Sequence, residues 1–321
     1  MPNTWNGMTF TNIAREGFSA FNQALAPLGV CSTDFSSEAV GQGTIVQTRI
    51  VPASDAAVDM SDAGNLNGST AYDREDANII KDISTTAVTV TLNQAPAAGF
   101  VLEDHTADTL SAGVWEDTAK RLVRQKAYAV ANFCVKAVIN SAIAGTFTNT
   151  AVYTGAASAF DMDDVVDAGE ACKQDGWDAG STTYMVLDTA YAAALKKDNA
   201  IQDLSASGIG VVKDGLLTKL DMFNVLEVPV MRNCTTFYDA TAYGRGFVCK
   251  PAAMAIAMRP IKSQAPDKLA WYEIMTDPES GVSLVYRAHY SARYGNMYHV
   301  FETFFGVAEA QVEALSLILS Q

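Results

Sequence analysis

With 321 residues, 49% of them hydrophobic, the chain can bury a substantial core in one elaborate domain or two. Its net charge of −14 argues against a surface built to grip nucleic-acid phosphates, and it must be overcome when like-charged copies assemble. The longest strongly apolar run, 248–258, is broken by Lys250 and Pro251, and residues 1–10 lack the basic start and apolar core of a signal, so neither membrane insertion nor export is expected.

In chain order, Phe10, Ile13, Ala14, Phe18, Phe21, Leu25 and Leu28 recur at three- and four-residue steps. That spacing predicts an amphipathic helix of about five turns, ended by Pro27 and Gly29. It is short for an independent module and reads as an arm that docks elsewhere. Residues 44–51 (TIVQTRIV) form a β-rich run stopped by Pro52. A strand resumes at 87–92, with Val88, Val90 and Leu92 on one face and Thr89 and Thr91 on the other. Between them, 53–76 is dense in Asp, Ala, Ser, Asn and Gly, which suits an exposed loop. The two strands are expected to pair as the sides of one long hairpin-like excursion.

Residues 114–144 carry neither Gly nor Pro and lie between Gly113 and Gly145. At 1.5 Å per residue that helix is roughly 46 Å long, and a start at Thr106 stretches it to about 60 Å. Globular helices average about three turns. Val123, Ala127, Val130, Cys134 and Val138 share one stripe. Asp108, Glu116 and Asp117 come early and Lys120, Arg121, Arg124, Lys126 and Lys136 later, a polarity that suits the helix dipole. A second helix starts at the acidic turn 161–164 and runs to about Gly176. A buried strand follows at 184–187 (YMVL), with Asp188 as N-cap of a helix over 189–197. Short strands are expected at 225–229, 246–250, 254–258, 269–275, 282–290 and 297–304, while the tail 312–319 fits either period. The fold class is α+β with discontinuous parts.

Known catalytic patterns find little purchase. Gly208-Ile-Gly210-Val-Val-Lys213-Asp-Gly215 lacks the Gly-Lys-Ser/Thr end of a phosphate loop and the third glycine of a dinucleotide loop, so it reads as a turn. His105 adjoins Asp104 at the long helix and reads as capping or a surface contact. His289 and His299 lie on neighbouring expected strands and could meet across a hairpin, but a third ligand close in sequence is absent. In the acidic cluster Asp161, Asp163, Asp164, Asp167 and Glu170, the positions a calcium loop needs hold Val165, Val166 and Cys172, so helix capping is expected. The stretches 64–68 (GNLNG) and 244–246 (GRG) read as turns. Cys31, Cys134, Cys172, Cys234 and Cys249 form no close pair and read as free, mostly buried thiols. No catalytic, cofactor-binding or metal-binding residue is expected, and no cofactor.

The order of parts resembles the major capsid proteins of tailed phages, with the Hong Kong 97 fold. Four stretches carry the resemblance: 88–102 (VTVTLNQAPAAGFVL) running into the long helix; 184–197 (YMVLDTAYAAALKK); 208–233, where Gly-x-Gly leads to Val228-Pro-Val-Met231; and 246–253 (GFVCKPAA) through to 304–314 (FFGVAEAQVEA). The last is similar to the family's closing Tyr-Gly-Val … Pro-Glu-Ala strand, with Phe305 for the Tyr and Val312 for the Pro. The resemblance implies an N-terminal arm at 1–40 and an E-loop at 41–93. A P domain follows at 94–180, with its spine helix at 106–144. Residues 181–268 are then mainly A domain, and 269–321 hold strands returning to the P domain and a C-terminal tail. The extra domain inserted in some short-tailed phage coat proteins and the fused scaffolding segment of other relatives are not expected. Residues 41–80 contain no lysine for covalent cross-linking.

By this resemblance the chain is a structural capsid protein, assembled in the host cytoplasm into an icosahedral virion shell around double-stranded DNA. Its partners are itself in hexamers and pentamers, a separate scaffolding protein, a portal, a decoration protein, and packaged DNA without sequence-specific contacts. No membrane is involved. Two rivals remain: an encapsulin-type shell around protein cargo, and a soluble α+β enzyme whose site sequence order hides.

Overall fold

A computed structural model describes residues 4–5, 8–32, 45–50, 59–65, 71–72, 86–103, 112–149, 151–177, 182–206, 212–213, 216–217, 219–229, 231, 242–278 and 280–320. The chain divides into two compact units, residues 47–89 and residues 1–46 with 90–321.

In chain order the elements are α1 (Phe10–Leu25), β1 (Ile45–Ile50), β2 (Thr86–Thr91), β3 (Ala97–Glu103), α2 (Ala112–Ala144), β4 (Tyr153–Thr154), α3 (Met162–Gln174), β5 (Thr183–Leu187), α4 (Thr189–Lys197) and α5 (Asn199–Ala206). After them come β6 (Lys219–Leu220), β7 (Phe223–Glu227), β8 (Tyr243–Cys249), β9 (Met254–Arg259), β10 (Trp271–Thr276), β11 (Ser283–Ser291), β12 (Asn296–Glu302), β13 (Phe304–Glu309) and β14 (Leu315–Ser320).

The smaller unit is built on the paired strands β1 and β2. Part of the loop between them is locally structured: the Asp59 carboxylate accepts from the Ser61 amide at 2.9 Å and hydroxyl at 2.8 Å, and the Tyr72 amide donates to the Met60 carbonyl. Those two bonds favour the charged form and hold the Asp59 carboxyl below its usual pKa.

In the larger unit, α1 begins at Thr9, whose hydroxyl accepts from the Asn12 amide at 3.2 Å. The helix is not an arm docking elsewhere. Phe10, Ile13, Ala14, Phe21 and Leu25 belong to the same buried core as Val123, Ala127, Val130, Cys134 and Val138 of α2. Glu16 pairs with Arg124 at the rim. Gly17 lies against the Phe301 ring, where a Cβ would stand 2.5 Å from a ring carbon. The amphipathic face that suggested a docking arm is satisfied within the chain.

The long helix α2 has 33 residues, about 50 Å by its rise. It starts before Gly113, and the expected extension over 106–111 lies outside the described residues. Its described first turn carries no acid and its last turn no base, so the charge gradient does little for the dipole, whose effect is confined to the end turns. By length and hydropathy its segment Asp117–Ala144 could cross a bilayer. Its apolar stripe is instead buried against protein, and Arg121 and Arg124 occupy the exposed side.

A four-stranded antiparallel sheet, ordered β10-β11-β12-β3, shares this first core. The expected strand 297–304 is two strands, β12 and β13, parted at Thr303, whose hydroxyl donates to the Ser283 carbonyl at 2.8 Å. A six-stranded sheet, ordered β6-β7-β5-β8-β14-β4, is mixed: β7–β5 and β14–β4 run parallel. Val186, Phe247 and Leu317 enter the first core. Met185, Val248 and Ile318 enter a second core with Val165 and Cys172 of α3, Tyr191 and Leu195 of α4 and Ile201 of α5. Both faces of these strands are covered, so their sequences are continuous apolar runs without alternation. That is why the tail 312–319 fitted either period. Helix α3 has the expected capping box, Asp161 accepting from the Asp163 and Asp164 amides while Asp164 accepts from the Asp161 amide.

Candidate assembly surfaces

From Val90 onward the chain is fastened to the larger unit. Leu92 is buried, Gln94 and Phe305 exchange two backbone hydrogen bonds of 3.1 and 2.8 Å, and the Thr303 amide donates to the Pro96 carbonyl. The Thr91 carbonyl passes so close over Gly306 that a Cβ there would stand 2.4 Å from its oxygen. The Phe305-Gly306-Val307 sequence thus has a physical reason: glycine is needed where the returning strand crosses. These contacts hold residues 91–96 against β13 and the residue before it, all within the larger unit.

His289 and His299 do not meet. His299 pairs with Ala288 and His289 with Tyr298, which places the two rings on opposite faces of the sheet. His289 stacks on Tyr298 at 4.9 Å. His299 is buried between Phe10 and Phe100, with its Nδ1 2.7 Å from the Tyr286 hydroxyl. Burial pushes its pKa down to about 4 and pushes the Tyr286 phenol up. This is a polar pair inside a core. His105, Asp104, Asp108, Cys234, Gly208 and Gly210 lie outside the described residues.

The thiols of Cys31, Cys134, Cys172 and Cys249 are buried and free, and burial raises each pKa above its usual value. Among the described residues no group of three or more His, Cys, Asp or Glu side chains is placed to hold a metal. Gly244-Arg245-Gly246 is not a turn but part of β8, with a bulge between Gly244 and Gly246. Asp188 precedes α4 as expected, yet its carboxyl makes no capping bond. Gly64 sits in a short 3-10 turn, Ala63–Asn65, while the rest of 64–68 after Asn65 lies outside the described residues.

Several large apolar side chains face outward. Val101, Ile274 and the partly exposed Tyr298 lie on the outer face of the four-stranded sheet, Tyr290 and Tyr294 at the β11–β12 hairpin end, and Phe133 on the solvent side of α2. Scattered singly such residues mean little, but several on one sheet face favour contact with another surface.

No protein-family model matches the sequence, and no curated protein does either. Solved structures do. A chain from the capsid of cyanophage P-SCSP1u superposes with a TM-score of 0.55 at 13% identity, over 88% of this chain and 85% of that one. The fold is the Hong Kong 97-type capsid fold. A chain from Mycobacterium phage Che8 gives a TM-score of 0.54 at 16% identity over 92% and 90%. The virus-like particle from Pyrococcus furiosus gives 0.53 at 8% over 96% and 98%. Within this fold α2 is the long helix the sequence announced, and Phe305-Gly306-Val307 lie in β13.

Proposed function

We propose that the chain is a structural capsid subunit, without enzymatic activity, that assembles through hexamers and pentamers into an icosahedral shell enclosing double-stranded DNA. The observation that carries this reading is a capsid fold over about nine-tenths of the chain, including a chain from a phage capsid. In this reading residues 1–40 are the N-terminal arm with α1 docked, 41–93 the E-loop, 94–180 the P domain, 181–268 mainly the A domain, and 269–321 the return. A closed symmetric shell repeats one heterologous contact many times, so weak contacts suffice. A separate scaffolding protein sets curvature, a portal admits DNA, a decoration protein can bind outside, and the shell forms in the host cytoplasm and ends in the virion. With a charge of −14 the chain confines DNA without reading its sequence.

The likeness to the Pyrococcus furiosus virus-like particle favours one second reading, a compartment for protein cargo. Nuclease treatment of purified particles separates the two. Protected double-stranded DNA supports the viral shell, and particles that hold a defined protein and no DNA support the compartment.

A further inference from the structure

The chain's negative charge is unevenly spread. Between Asp117 and Asp161 there is no acidic residue, while five bases, Lys120, Arg121, Arg124, Lys126 and Lys136, fall on α2. The rest of the chain holds all 36 acids and the remaining 17 of the 22 bases. Arg121 and Arg124 are exposed and Lys126 and Lys136 partly so, and Arg15, next to Glu16, adds an exposed base where α1 meets α2. Two of these six side chains touch acids of their own chain: Arg121 pairs with Asp117 at 2.8 Å, and Arg124 with Glu16. The Asp117 pair is exposed on both sides, the kind that water and salt loosen. Arg15, Lys126 and Lys136 form no ion pair among the described residues. The face keeps a positive excess on a chain of −14.

From Arg121 to Lys136 the helix rises about 22 Å. Bases strung over that length do not converge on one point, as a small anion requires, and suit an extended polyanion. A duplex presents about 13 phosphate charges over the same length, one per roughly 1.7 Å. Exposed Gln125 and partly exposed Asn132 fall between the bases in sequence and supply neutral amide donors, which phosphate oxygens also accept. We infer that the outward face of α2, with Arg15 of α1, is a docking strip for the phosphate backbone of double-stranded DNA, an inference that rests on the proposed DNA-enclosing shell. Charge complementarity names the occupant. The strip is the acid-free part of an acidic chain, and duplex DNA carries one sign of charge along its whole length. The contact reads no sequence, because phosphates carry none.

The test measures binding of the full-length subunit to a fluorescent mixed-sequence duplex of about 30 base pairs, by anisotropy between about 50 and 200 mM salt. The strip variant is Arg15→Gln with Lys126→Gln and Lys136→Gln. The control, Lys197→Gln with Lys262→Gln and Lys268→Gln, removes equal charge from exposed sites elsewhere. The strip variant should bind about tenfold or more weakly at the lowest salt and lose roughly 2–3 from the slope of log affinity against log salt, about 0.9 per phosphate contact. The control should stay within about twofold of wild type, and Lys126→Arg with Lys136→Arg should bind as wild type. If the strip variant melts below wild type by circular dichroism, Lys136→Gln alone decides, with an expected slope loss of about 0.9. A wild-type subunit that does not bind the duplex, an unchanged slope in the strip variant, or an equal loss in the control overturns the strip. So does a strip variant that binds DNA normally but no longer assembles, which makes an acidic protein surface the occupant. A wild-type chain that forms no shell with the scaffold brings down the proposed function instead.

Discussion

Val130→Asp tests whether the α2 stripe holds the larger unit together. Val130 is 1% exposed and lies in the core formed by α1, α2 and the four-stranded sheet. Removing the valine forfeits about 2 kcal/mol of apolar burial. Placing a carboxyl there without a donor adds about 1–3 kcal/mol, more while it stays charged. The sum, on the order of 3–5 kcal/mol, is a large share of the roughly 5–15 kcal/mol that keeps a domain folded. Val130→Ala serves as the graded control, at about 1.5–3 kcal/mol for the lost methyl groups and the cavity left behind. Urea unfolding of the purified subunit, read by near-ultraviolet circular dichroism, gives both values. Val130→Asp should be insoluble or unfold at a much lower urea concentration, with Val130→Ala between it and wild type. A Val130→Asp subunit within about 0.5 kcal/mol of wild type would refute the buried stripe.

Acid should weaken the subunit through His299. Burial holds its folded pKa at about 4, below the 6.5 of an ordinary histidine, so the unfolded chain binds the extra proton first and stability falls as pH drops from about 6.5 to about 4. His299→Gln, which can still accept from Tyr286, should flatten melting temperature against pH in that window, and an unchanged slope would assign the acid sensitivity elsewhere. Gly306→Ala should displace the strand crossing at Thr91, costing about 1–3 kcal/mol in urea unfolding, and a neutral result would show that the crossing is loose. Asp161→Ala should cost about 1 kcal/mol through the lost capping box of α3, readable as a lower melting temperature, and unchanged melting would show the cap to be idle.

Much of the architecture was legible because local chemistry and packing agree. The Gly- and Pro-free run became α2, the acidic turn at Asp161 capped α3, and the β-rich runs flanking 53–76 paired. What misled was context beyond a helix or strand. The apolar face of α1 looks the same whether it meets its own chain or a neighbouring one, and only the tertiary packing shows Phe21 in one core with α2. Asp188 has the residue type and position of a cap, but its carboxyl makes no capping bond. Gly244 and Gly246 read as turn glycines, whereas Gly246 lies in β8 with the Val186 carbonyl 2.7 Å from where a Cβ would stand. The candidate surfaces were the least legible part, since a face that binds another copy carries no local motif.

The most direct measurement is cryo-electron microscopy of the protein purified from cells that also make its scaffolding partner. The account predicts closed icosahedral shells of uniform size, with this chain in hexamers and pentamers and density for residues 41–93 against a neighbouring copy. A monodisperse monomer or small oligomer under those conditions, with no closed shell, would contradict it.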